Sequence, residues 1–185
     1  MRLFVALAPP PAVLDELDSA VTPLRAGPPG LRWTSRDAWH ITLAFLGEAS
    51  ETMAARLAPR LERAAAGHHQ FRLAFAGAGA FPSAGRARVL WCGLSGDDRE
   101  AASLAASVAA AARGAGATMP DEGRAFRPHL TLARCRVPAD AGALVAALSG
   151  YRGPAWAADR IHLILSRPGG QPRYTTLGRW PLSRG

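Results

Sequence analysis

At 185 residues, 49% of them hydrophobic, the chain is long enough to bury a core and short enough that one compact domain is expected. Arginine supplies all 22 basic residues against 14 acidic ones, a net charge of +8 that favours polyanions such as nucleic acid and disfavours acidic proteins, although coding bias gives the same composition. No apolar run is long enough to span a membrane, Pro9, Pro10 and Pro11 cut short the one signal-like start, and Cys92 and Cys135 form no C-x-x-C pair or ligand set with histidine, so a soluble, cytoplasmic monomer is expected.

In chain order, residues 2–7 read as a buried strand ended by the proline triplet. Val13, Leu14, Leu17, Val21 and Leu24 then recur at helical spacing and predict a helix over 11–25. A loop at 27–30 leads to a strand over 39–46, in which strict alternation puts His40, Thr42 and Ala44 on one face and Ile41, Leu43 and Phe45 on the other. Met53, Leu57 and Leu61 mark a helix over 51–66, with a kink expected at Pro59 and a stop at Gly67. Strands follow at 70–75 and 88–94, with the glycine-rich 77–85 segment between them assigned to turns. The alanine-rich 101–112 run is a helix, and 126–134 is a second strand in which His129 and Thr131 share a face. A short helix over 139–148 and strands at 161–165 and 174–177, with Gly169-Gly170 as a turn, complete the chain. The order predicts an α+β fold: one domain over 1–185 made of two pseudo-symmetric lobes, each an antiparallel sheet with helices on its outer face, around a central groove.

Within that order a pattern repeats: His40-Ile41-Thr42-Leu43 and His129-Leu130-Thr131-Leu132, each followed by alanine and close to half a chain length apart. One histidine on a strand reads as structural; two copies reverse that. Two imidazoles approaching a common point from opposite lobes suit in-line displacement at phosphorus, one taking a proton from the nucleophile while the other protonates the leaving oxygen. A pKa near 6.5 makes both protonation states of histidine accessible near neutrality. Thr42 and Thr131, two residues along on the same face, are placed to donate hydrogen bonds to non-bridging phosphoryl oxygens. The sequence offers no H-E-x-x-H, no D-x-D cluster and no Cys/His set, so neither a metal nor a cofactor is expected.

With these motifs, and with 2–7, 40–47, Arg88-Val89-Leu90-Trp91, 126–134 and 161–166 beside them, the chain resembles the 2H phosphoesterase superfamily, and within it the RNA 2′,3′-cyclic phosphodiesterases, also described as 2′-5′ RNA ligases. The resemblance implies hydrolysis of a terminal 2′,3′-cyclic phosphate to a 2′-phosphate, with His40 as proton donor and His129 as proton acceptor. Its implied partners are RNA ends, tRNA fragments among them, or small cyclic nucleotides. It also implies a substrate contact for Arg134, which strict alternation places on the face opposite His129. The alternatives are 2′-5′ ligation by a 5′-hydroxyl in place of water, a small cyclic-nucleotide phosphodiesterase, and a non-catalytic nucleotide- or RNA-binding module. Phe4 and Phe45 are candidates for stacking on a base, with core packing favoured for Phe45 by its parity with Leu43. His68, His69 and His162 read as exposed, Arg86 and Arg88 as a solvated strand edge, and the five tryptophans as core or rim.

Overall fold

The computed structural model describes residues 1–120, 125–169 and 172–185. Its elements run β1 (Arg2–Leu7), α1 (Pro11–Val21), β2 (Leu31–Trp33), β3 (Ile41–Glu48), α2 (Glu51–Ala66), β4 (Phe71–Phe81), β5 (Ala87–Gly96), α3 (Asp98–Ala115), β6 (Leu130–Ala139), α4 (Gly142–Leu148), β7 (Trp156–Ala158), β8 (Arg160–Ser166) and β9 (Tyr174–Pro181). The strands pair antiparallel in the order β7-β4-β5-β6-β3-β1-β8-β9, with β2 alongside β6. Two halves, of five strands counting β2 and of four, thus meet where the motif strands β6 and β3 adjoin. A single register pair, Ile41 with Leu130, joins them. The α+β fold of two antiparallel halves is as expected, except that the halves are arms of one curled sheet.

Local sequence explains where the elements begin and end. Helix α2 starts at Ser50, whose side chain accepts the Met53 N–H at 3.1 Å, and buries the Met53, Leu57, Leu61 and Ala65 stripe. The helix continues through Pro59, which lies on its exposed face, where water can satisfy the carbonyl that the ring leaves unpaired. Helix α1 stops at Val21, short of the expected end, and residues 22–24 tighten into a 3₁₀ turn around Pro23.

The larger correction concerns 77–85. Strand β4 runs on to Phe81, and its two glycines serve different ends: Gly77 takes a left-handed φ of +64°, and a Cβ on Gly79 would run into the indole of its strand partner Trp91. Strand β6 likewise runs on to Ala139, so the helix expected from 139 begins at Gly142. Strands β2 and β7, three residues each, are too short for alternation to reveal. Gly169 takes a left-handed conformation, φ +77°, as a turn requires, while its expected partner Gly170 lies outside the described residues.

The buried stripes of all four helices pack with Leu3, Val5, Leu7, Ile41, Leu43, Leu90, Leu130 and Leu132 into one core. Phe4, Ala6 and Ile164, with Tyr174 against them, form a separate small cluster from the opposite side of the same strands. The sheet therefore has a helix-covered face and an open face, and the motifs lie on the open one. Among the described residues no helix is long and apolar enough to cross a membrane.

Candidate active site

The Ile41–Leu130 pair acts as a local two-fold. Continued by one residue, that register puts His40 opposite Thr131 and Thr42 opposite His129. The two His/Thr pairs, distant in sequence, are thus brought together. They lie close enough to feel common charges: His129 and Arg134 both act on the His40 imidazole, and Arg134 acts on His129 as well.

Each imidazole is held in a similar way. Nδ1 of His129 donates to the Arg127 carbonyl at 2.7 Å, and the backbone of Ala38, likewise two residues upstream, favours the protonated form of His40. This bond leaves Nε2 of His129 free to accept a proton. His40 stacks on Phe4, with centroids 4.6 Å apart, and Tyr174 stands edge-on to both rings. His129 meets Phe81 edge-on at 5.1 Å and Trp91 at 6.2 Å. The two edge-on rings each carry a guanidinium 5.4 Å from the centroid, Arg173 over Tyr174 and Arg127 over Phe81. Beside His129 an open cleft of about 440 Å³, walled by Phe81, Trp91, Phe126 and Arg127, has room for a planar group.

Burial is the main reason that both imidazoles are hard to protonate. It pushes His40 down to about 4, with Arg134, His129 and Arg173 adding to the effect. It lowers His129 too, helped by Arg134 and Arg127. Both imidazoles are therefore held below the ordinary histidine range, and an arriving dianion should raise their pKa values. Sulfate, which does not itself titrate near neutrality, should accordingly bind with uptake of a proton, its Kd rising by up to about tenfold per unit from pH 6 to 8. Calorimetry in buffers of different ionisation enthalpy measures this; a pH-independent Kd without proton uptake contradicts it.

Two placements differ from strict alternation, for one reason. In β3, Ala6 pairs with Thr42 but Val5 with Ala44, so Leu43 is an extra residue; in β6, Trp91 pairs with Thr131 but Leu90 with Ala133, so Leu132 is extra. Both motif strands thus carry a β-bulge at the same Leu-Ala step, and each bulge reverses the parity beyond it. Phe45 consequently leaves the core face expected for it and lies 41% exposed, 6.0 Å from Phe4 on the open face. Arg134, expected opposite His129, pairs with Val89 on the open face beside Thr131. The fifth residue after each histidine therefore reaches the groove.

Nothing in the sequence singles out Thr34. Its hydroxyl accepts the Trp39 indole N–H at 3.0 Å and lies 2.8 and 2.9 Å from the carbonyls of Thr131 and Leu132, while its own N–H donates to Leu132 at 2.8 Å. It stitches the segment before His40 to the bulge after His129. Thr34→Val keeps the volume but strands the buried Trp39 donor, so it should cost about 1–3 kcal/mol and lower Tm by several degrees, with Thr34→Ser close to unchanged. Thermal denaturation of the two variants checks this. Tyr174, Phe81 and Arg173 also carry no sequence signal, because their places depend on strands that meet only in the fold. His162, read as exposed, is half-buried on the open face.

The family model described as the 2′-5′ RNA ligase superfamily matches residues 9–170. The chain belongs to this family of 2H phosphoesterases. An RNA 2′,3′-cyclic phosphodiesterase of Archaeoglobus fulgidus is 33% identical over 136 residues, 74% of this chain and 73% of that protein. Another, of Thermus thermophilus, is 32% identical over 189 residues, covering 98% and 90%. Among solved structures, E. coli LigT complexed with 3′-AMP superposes with a TM-score of 0.76 at 28% identity, covering 99% of this chain and 98% of that one. TT0787 of Thermus thermophilus superposes with a TM-score of 0.72 at 30% identity, covering 100% and 99%.

Proposed function

We propose that this protein opens the 2′,3′-cyclic phosphate at the end of an RNA to a 2′-phosphate, without a metal, by two-histidine acid–base catalysis. The observation that supports the reading is the Ile41–Leu130 register pair, by which the two His/Thr segments run on neighbouring strands. The similarity to proteins named RNA 2′,3′-cyclic phosphodiesterases supports the substrate class. In this mechanism Nε2 of His129 takes a proton from water as the water oxygen bonds to phosphorus. The bond to the ribose 3′ oxygen breaks on the opposite side, and His40 gives that oxygen a proton. Thr42 and Thr131 donate hydrogen bonds to the non-bridging oxygens, and Arg134 balances their charge. Product leaves with His40 neutral and His129 charged, so before the next turnover His129 must release its proton to solvent and His40 must take one up.

The test is incubation of an oligoribonucleotide ending in a 2′,3′-cyclic phosphate with the protein in excess chelator, followed by phosphorus NMR. A 2′-monoester signal is expected. A 3′-monoester, or binding without ring opening, overturns the reading; the latter outcome would mark a binding module.

A further inference from the structure

One row of side chains crosses the open face from the first motif outward. Register pairs Thr42 with Ala6, Ala6 with His162, and His162 with Arg179, and paired residues in an antiparallel ladder point to the same side. With strands about 4.8 Å apart, His162 stands about 10 Å from Thr42 and Arg179 about 15 Å. Ala6, fully buried between Thr42 and His162, is too short to separate them.

The equivalent row in the other half is Thr131, Trp91 and Gly79, in which the indole of Trp91 lies across Gly79. The pseudo-symmetric motifs are therefore flanked by an aromatic wall on one side and a basic one on the other. The basic side chains do not serve the core: Ile161 and Leu163 fill it from the same strand, and His162 points away. Nor are they all neutralised. Asp159 pairs with Arg160, at 3.0 and 2.8 Å, and also faces His162, whereas Arg179 has no ion pair among the described residues.

We propose that His162 and Arg179 form a second phosphate subsite, which holds the phosphodiester one nucleotide inward from the cyclic end, so that RNA chains are preferred over cyclic mononucleotides. This rests on the cyclic phosphodiesterase reading above. Arg179 supplies charge and up to five N–H donors; His162, held below the ordinary imidazole range by burial, supplies one more N–H while neutral.

The test compares 2′,3′-cyclic AMP with a dinucleotide ending in a 2′,3′-cyclic phosphate. Arg179→Ala should lower kcat/KM for the dinucleotide on the order of tenfold, through KM, the loss of one charge-assisted hydrogen bond. The mononucleotide should change by less than about twofold, and His162→Ala should follow the same pattern more weakly. An unchanged dinucleotide rate, or equal losses on both substrates, overturns the subsite. Should the unaltered protein open neither substrate, the phosphodiesterase reading fails, but calorimetry with the 2′-phosphorylated dinucleotide and 2′-AMP still decides the subsite. A preference for the dinucleotide that disappears in Arg179→Ala supports it; equal affinities of the unaltered protein for the two overturn it.

Discussion

His129→Ala should lower kcat/KM on a cyclic-phosphate-ended oligonucleotide by about 10²–10⁴-fold, the range that positioned proton transfer contributes. The loss should fall mainly on kcat, because Arg134 and the threonine hydroxyls remain to hold the phosphate. His40→Ala should cost a similar factor. The double variant should lose far less than the product of the two, since acid and base serve one transition state. The fold should survive both changes: each imidazole sits against rings on the open face, while the motif leucines and Ile41 fill the core behind it. Steady-state kinetics together with circular dichroism check this, and full activity in either single variant with native spectra rules out the two-histidine mechanism.

Arg134→Ala should have the next largest effect. Among the described residues its guanidinium is the one charge that acts on both imidazoles, and the bulge at Leu132 is what brings it to their side of the sheet. A hydrogen bond to a charged group is worth about 1.5–3 kcal/mol, so kcat/KM should fall about 10- to 100-fold. Lysine carries the charge but not the planar pair of donors, so Arg134→Lys should recover only part of the loss. The alanine change also removes a positive charge that disfavours imidazolium, so the free-enzyme pKa values of His40 and His129 should rise, shifting the acid side of the pH profile upward. Kinetics from pH 5 to 9 measure both effects. A variant with unaltered KM and an unaltered pH profile places Arg134 outside the phosphate site.

The motifs, the α+β order and the two-half arrangement are legible in the sequence because they rest on local signals: a repeated tetrapeptide, and apolar periodicity of two or nearly four. What is not legible depends on pairing across strands. Strict alternation puts Phe45 in the core and turns Arg134 away from His129. The bulges at Leu43 and Leu132 reverse both, and a bulge is defined by a partner strand rather than by its own residues. The glycines of β4 look like a turn until Trp91 is seen lying over Gly79. The bridge made by Thr34 and the row from Thr42 to Arg179 join residues far apart in the chain, so only the assembled sheet displays them.

The most direct measurement is a crystal structure of the protein with a nucleoside 2′-phosphate bound. The phosphorus atom is expected between the two halves, with ring nitrogens of His40 and His129 each about 2.6–3.2 Å from different phosphate oxygens and the Thr42 and Thr131 hydroxyls on the others. A phosphate bound by one histidine alone, or seated away from the β3–β6 junction, contradicts the shared site.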